Sequence, residues 1–327
     1  MRLGKISENV LKRSVLKLIQ THREEVIKGA ELGSDCAFFS CHSQDDIVLT
    51  TDSVTYSKKN AGMLGVHRVA NDIAAAGATP VGILVDILFS ERDREAKLKD
   101  IMNQMETVCA KLNMQIIGGH TEVTGAVNMP ILTVTGVGIL EKNKQLTAAS
   151  VCAGQHIVMS KYIGMEGTVV LAKEHGEQLV QRLPQTFIDR VAALEQQLSV
   201  VPEAATAVKS NVSYMHDVST GGIFGALWEL AESAGVGLTI DLKAIPVKQE
   251  TIEICEYFGY NPYTLISGGA LLMVTSDGHE LVKVLEQDGI KATVIGTITD
   301  SNDRIIINGD ERRYLDMPQP DEIYMSR

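Results

Sequence analysis

The chain has 327 residues, and at roughly 150 residues per domain that length predicts two domains with a core that needs no staple. A composition of 45% hydrophobic and 22% charged residues, with 28 Gly and 8 Pro, excludes the disordered, collagen-like and disulfide-scaffold classes. Thirty Lys and Arg against 41 Asp and Glu give a net charge of -11, the wrong sign for gripping a phosphate backbone, so nucleic acid is not expected as a partner.

Ser7 as an N-cap, with Val10, Leu11, Val15, Leu18 and Ile19 at helical spacing, predicts a first helix over 7–20. After the glycine break E-L-G-S-D and an apolar C-A-F-F, the run D-I-V-L-T-T-D-S-V predicts a strand with Val48, Thr50 and Asp52 on one face. Val66, Val69, Ala70, Ile73, Ala74 and Gly77 then form a narrow stripe of small and apolar residues, which marks a helix packed close to a sheet and leaves Asn71 and Asp72 off the stripe. V-G-I-L-V-D-I-L-F predicts a strand, 94–113 a long amphipathic helix, M-Q-I-I a short strand and Met129 to Leu140 a long alternating one, which as an uncovered edge or open face would invite pairing with a second subunit. The composition shifts over Thr147 to Gly154, which places a boundary there and gives domains 1–150 and 151–327. The second domain predicts a strand at H-I-V-M-S, helices over 167–175 and on to about 209, a strand, a helix over 222–234, strand L-T-I-D and a helix over 249–258, then strands 270–275, 293–298 and 304–308. Strands and helices alternate throughout, an α/β pattern, and no short repeat is present.

The five cysteines (Cys36, Cys41, Cys109, Cys152, Cys255) are odd in number and lack C-x-x-C spacing, which points to reduced thiols rather than a zinc site or a disulfide framework. No apolar run approaches the ~18 residues of a membrane span, and the stretch after Met1 lacks a signal-peptide core, so a cytoplasmic protein without a membrane partner is expected.

Four polar clusters fall at predicted junctions: Gly33-Ser34-Asp35, Thr51-Asp52-Ser53, Asn71-Asp72 and Gly118 to Glu122. Carboxylates with few basic neighbours suit Mg²⁺, a hard cation that takes oxygen ligands and bridges nucleotide phosphates, although each cluster taken singly is also an ordinary turn. A fifth, His216-Asp217-Val218-Ser219-Thr220-Gly221-Gly222, runs into the 222–234 helix, whose first N–H groups form either an anion pocket or a plain capped start. His120 and Glu122 are candidates for orienting phosphate or metal, and His216 for moving a proton; His67 reads as a solvated helix edge and Cys36, before A-F-F, as a buried strand residue. The P-loop, dinucleotide-binding and nucleophile-elbow motifs are all missing.

The series G-S-D-C-A, T-D-S, N-D-I-A-A-A-G-A-T-P, G-G-H-T-E, H-D-V-S-T-G-G, G-V-G-L-T-I-D, I-P-V and S-G-G-A-L-L resembles, in this order, the aminoimidazole ribonucleotide (AIR) synthetase, or PurM-like, superfamily over nearly the whole chain. The second half is most similar to the hydrogenase-maturation branch, HypE. The resemblance implies a two-domain α/β fold in which the N-terminal sheet joins that of a second subunit in a dimeric barrel. It further implies ATP and Mg²⁺ as cofactors, a homodimer, and transfer of the γ-phosphate to an amide, carbonyl or related oxygen of a small-molecule or protein-borne acceptor. Carried over by motif, Asp35, Asp52, Asp72 and Glu122 hold Mg²⁺; Ser34, Asn71, Gly118, Gly119, Thr121, Ser219, Thr220, Gly221 and Gly222 line the nucleotide; Asp52, Asp72, His120 and Asp217 serve catalysis.

The sequence also departs from its relatives. HypE carries a carbamoyl group on a final cysteine and dehydrates it, whereas no cysteine follows Cys255 here, so ATP turnover is expected to serve another acceptor. Thr220 stands where HypE has Arg, His120 departs from the G-G-D-T of thiamine-monophosphate kinase, and the reactive N-terminal residue of selenophosphate synthetase is missing. Three functions follow as expectations: a HypE-like phosphoryl-transfer enzyme, a small-molecule kinase, and a non-catalytic nucleotide-binding scaffold in a maturation pathway.

Overall fold

A computed structural model describes residues 4–5, 7–30, 38–42 and 44–325, and the chain separates into two compact units, Met1–Ile73 with Ala78–Lys144 and Ala74–Gly77 with Gln145–Arg327. The architecture is mixed α/β, with a sheet in each unit. Among the described residues no helix is long and apolar enough to cross a membrane.

The first unit runs β1 (Gly4–Lys5), α1 (Glu8–Ser14), β2 (Val26–Lys28), β3 (Phe38–Phe39), β4 (Asp45–Val54), α2 (Ala61–Ala75), β5 (Thr79–Phe89), α3 (Glu95–Leu112), β6 (Gln115–Val123) and β7 (Ile131–Glu141). Its main sheet, among the described residues, has the order β1-β6-β5-β7-β4, with β5 and β6 parallel and the other pairs antiparallel. The small-residue stripe is the buried side of α2: Val66, Val69, Ala70, Ile73 and Ala74 are all buried. Glycines on both surfaces let the helix settle close to the sheet, since a Cβ at Gly65 would lie 2.7 Å from Val134 and one at Gly136 would lie 2.8 Å from Val69. β4 alternates as expected, with Val48, Thr50 and Asp52 on the α2 side and Ile47, Leu49, Thr51 and Ser53 on the outer side.

Four expectations are corrected here. The first helix stops at Ser14, a 3-10 turn follows at Leu16–Leu18, and the Ser7 side chain makes no cap hydrogen bond. Gly118 to Glu122 is strand, in register with Leu84 to Leu88 of β5, because the parallel pairing carries β6 on through the glycines. Asn71 is buried, since α2 is covered on more than its stripe, and His67 is half-buried rather than a solvated edge. The Met129 to Leu140 run is no uncovered edge: β7 bonds to both β5 and β4, and Leu132 is buried toward α2.

The second unit runs β8 (His156–Ser160), α4 (Met165–Glu174), α5 (Gly176–Leu179), α6 (Gln185–Ala193), α7 (Val201–Lys209), β9 (Tyr214–Val218), α8 (Gly222–Ala234), β10 (Gly237–Asp241), α9 (Gln249–Phe258), β11 (Ala270–Thr275), α10 (Gly278–Gln287), β12 (Ala292–Thr299), β13 (Arg304–Asn308) and β14 (Glu311–Tyr314). Its sheet order is β14-β13-β10-β12-β8-β11-β9, and only the β10–β13 pair is parallel. Strand parity sorts the core: Ile157, Met159, Leu272 and Val274 pack with α8, while Val158, Leu271 and Met273 pack with α7 and α10.

β8 ends in a buried ion pair. Lys161, at φ +52°, turns its ammonium onto the Glu203 carboxylate at 2.5 Å and donates to the carbonyls of Gln197 at 2.8 Å and Ser199 at 2.5 Å. Burial pushes the lysine pKa down while Glu203, 2% exposed at its side chain, holds the charge in place. Removing one partner strands the other, so Glu203→Gln is expected to cost about 3 kcal/mol, and pairing Glu203→Leu with Lys161→Met should recover most of it. Urea midpoints of the variants check this; a single substitution as mild as the double one would show that the pair is not an obligate unit.

Candidate active site

On the α2 side of the first sheet, β4 and α2 exchange two side-chain pairs. Thr50 donates to the Asp72 carboxylate at 2.7 Å, and one step along each element Arg68 Nε meets Asp52 Oδ2 at 2.5 Å. The spacing explains the match: residues two apart in a strand share a face, and so do residues four apart in a helix. The other Asp52 oxygen accepts from the Ser53 N–H at 2.6 Å, and Arg68 also donates to the Tyr56 hydroxyl at 3.0 Å with its guanidinium 5.8 Å from that ring. The Arg68 side chain is 12% exposed and Asp52 25%, so the pair is poorly screened yet reachable.

The outer side of the same sheet holds a different group. His120 Nε2 lies 3.3 Å from the Glu122 carboxylate, and Asp86 is the register partner of His120 on β6 and of Thr133 on β7. Ser53 and Thr133 hydroxyls lie 2.8 Å apart and Thr135 donates to Thr51 at 3.2 Å, a row of hydroxyls across β4 and β7. Gly119 has φ +149°, and a Cβ there would collide with the Val85 carbonyl, so only glycine fits between β5 and β6. Asp52 and Asp72 thus lie on the α2 side of the sheet, each tied to a different partner, while Glu122 and His120 lie on its other face and Thr121 pairs with Ile87 on the α2 side. Asn71, beside Asp72 on α2, is buried. Gly33, Ser34, Asp35 and Cys36 lie outside the described residues. Among the described residues no three His, Cys, Asp or Glu side chains converge on a point where a metal would sit.

In the second unit, β9 sends His216 toward α8, where its Nε2 meets Glu229 at 2.9 Å, and turns Asp217 to the opposite face with Met215. Ser219 and Thr220 follow on the turn, and Gly221 and Gly222, at φ +86° and +62°, open α8. A Cβ on Gly222 would lie 2.5 Å from the Tyr263 carbonyl, which explains the second glycine. The anion at this helix start is the chain's own: Asp321, 1% exposed, accepts from the N–H groups of Gly221 at 2.6 Å, Ile266 at 3.1 Å and Ile323 at 2.9 Å. Gly222 N–H returns to the Ser219 carbonyl, so both glycine N–H groups expected to face a ligand are engaged within the chain. Burial pushes the Asp321 carboxyl above the usual range, against the pull of those three donors.

Beside this turn, Ser267 donates to the Leu265 carbonyl and accepts from the Gly164 N–H, and the buried Glu166 on α4 leaves no room for a side chain at Gly268. The thiols of Cys109 and Cys255 are buried and pushed up, that of Cys255 to about 12, which leaves neither as a nucleophile near neutral pH. Arg68, Asp86 and Asp321 are the residues sequence reasoning missed. Arg68 was within reach, four residues before Asp72 on one helix face; Asp86 is visible only through strand register, and Asp321 lies 100 residues from Gly221.

Residues 33–140 match the family model for the AIR synthase related protein N-terminal domain, and residues 153–308 that for its C-terminal domain. Carbamoyl dehydratase HypE of Azotobacter vinelandii is 27% identical over 84% of this chain and 79% of its own length. The structure of hydrogenase maturation protein HypE in complex with ATP superposes with a TM-score of 0.81 at 19% identity, over 98% of this chain and 97% of that one. Thiamine-monophosphate kinase from Stenotrophomonas maltophilia does so with a TM-score of 0.74 at 16% identity, over 95% and 99%. At these identities the superpositions establish a shared fold, and the two family models in sequence order settle the rest: the chain belongs to the AIR synthase related protein family.

Proposed function

We propose that this chain is an ATP- and Mg²⁺-dependent enzyme that phosphorylates an amide, carbonyl or related oxygen on a small or protein-borne acceptor. The observation that carries the reading is the pair of carboxylates, Asp52 from β4 and Asp72 from α2, held on one face by Arg68 and Thr50. Such a set suits Mg²⁺, which takes one or two protein carboxylates and completes its shell with phosphate oxygens and water, so a third convergent carboxylate is not required. Bound there, the ion would neutralise phosphate charge during transfer. Asp35 is proposed as a further ligand by its motif, whereas Glu122, across the sheet, is proposed to act with His120 on the outer face. In the second unit the hydroxyls of Ser219 and Thr220, on a turn fixed by Gly221 and Gly222, are proposed to contact phosphate, and Asp217 to serve catalysis. The ATP complex and the carbamoyl dehydratase name among the relatives support the chemistry: losing water from a carbamoyl group requires its oxygen to leave, and phosphorylation makes it a leaving group.

A second reading, a nucleotide-binding scaffold without turnover, draws support from the same geometry, because both Asp52 oxygens and the Gly221 N–H are already matched internally. ADP release across a panel of carbamoyl, amide and phosphomonoester acceptors separates the two. The enzyme is expected to turn over with Mg²⁺, to stop in EDTA, and to lose about 100-fold or more in Asp72→Asn. Mg-ATP should also raise the thermal midpoint, by less in Asp52→Asn and Asp72→Asn. A midpoint shift with no ADP from any acceptor would favour the scaffold, and variants as active as wild type would sink the metal assignment.

We further propose a homodimer through the outer side of the first sheet. Ile47 and Leu49 on β4 are 51% and 65% exposed, and among the described residues β4 is an edge strand. Leu49→Lys should give a monomer by light scattering with an unchanged far-ultraviolet spectrum; a wild-type monomer at tens of micromolar would refute the dimer.

A further inference from the structure

We propose that Arg68 is the resident counter-ion of Asp52, so that this carboxylate takes up a divalent cation mainly when the cation arrives with anionic ligands able to receive the guanidinium. The inference rests on reading Asp52 as a metal ligand and adds to it a residue that controls loading. Arg68 Nε lies 2.5 Å from Asp52 Oδ2 while Ser53 N–H holds Oδ1, so a bare cation meets a carboxylate whose oxygens both already accept hydrogen bonds. It also meets a fixed positive charge. With only 12% of the Arg68 side chain exposed, water screens that charge weakly, and two like charges a few ångströms apart repel strongly at the intermediate dielectric of such a site.

The guanidinium has a second anchor. Its NH1 donates to the Tyr56 hydroxyl at 3.0 Å and its carbon sits 5.8 Å from the ring centre, so release of Asp52 leaves Arg68 held by a hydrogen bond and the ring face. Arginine suits this position better than lysine, because its planar fork serves Asp52 and Tyr56 at once. Asp72, one turn further along α2, accepts from the neutral hydroxyl of Thr50 at 2.7 Å. Negative phosphate oxygens accompanying the cation would give the guanidinium a partner to replace Asp52, which couples metal to polyphosphate. The coupling is reciprocal by thermodynamic linkage.

The test is Mn²⁺ binding to the full chain, read from the electron paramagnetic resonance signal of the free ion, without nucleotide and then with a non-hydrolysable methylene analogue of ATP. Arg68→Met is expected to bind Mn²⁺ alone about tenfold or more tightly than wild type, and the analogue should tighten wild type far more than it tightens the variant. Arg68→Gln, which keeps a donor to Asp52 without the charge, should behave as Arg68→Met and serves in its place if that variant does not fold. Arg68→Lys keeps the charge and should stay within about threefold of wild type. Neutral variants that bind Mn²⁺ no better than wild type, while Asp52→Asn weakens it, would overturn the inference and leave the metal assignment standing. An Asp52→Asn protein that binds Mn²⁺ like wild type would overturn both.

Discussion

The close seat of α2 on the first sheet is the constraint on which the candidate site depends. Gly65 on the helix and Gly136 and Gly138 on β7 remove the side chains that would hold the two layers apart, and each would strike Val134, Val69 or Ile73 if it carried a Cβ. Threonine and aspartate are short, so Thr50 can reach Asp72 only because the backbones come near. A helix lifted by one methyl layer would leave Asp52 and Asp72 too far from their partners to be fixed, and two loosely held carboxylates would repel rather than form a site. Packing at three glycines and the chemistry of two carboxylates are one design.

The chain supplies its own opposite charge at two of the positions where its family resemblance implies ligands. Arg68 stands as a cation at Asp52, and Asp321 stands as an anion at the α8 start. Each internal partner satisfies groups that would otherwise cost stability when buried, and each must be matched by whatever replaces it. Affinity at such positions is a difference between two partners of like charge rather than the full strength of a new bond, which favours ligands that bring several charges together over single ions.

Much of the fold was legible in the sequence because alternation and helical periodicity are local. The parity of Val48, Thr50 and Asp52, the α2 stripe, and the bounds of α8, α9, β11 and β13 all follow from spacing. What failed was set by pairing between distant segments. The G-G-H-T-E run looks like a turn from its glycines, yet parallel bonding to β5 makes it strand, and that pairing puts His120 and Glu122 on the face away from Asp52. Likewise the Met129 to Leu140 run has the alternation of an edge, and only the partners on both sides show it to be central. The motif residues were identifiable one by one, while their division between two faces was not, because a motif records order along the chain and says nothing of sheet topology.

The bond from Asp321 to the Gly221 turn orders events during synthesis. The first turn of α8 and the backbone at Ile266 lack the acceptor they use in the finished protein until residue 321 has been made, 100 residues after the glycine itself. Closing so long a loop is slow, and until it closes the start of α8 must bond to water or to whatever else in the cell can hold it. The start of α8 thus gains its last internal partner only once residue 321 has been made.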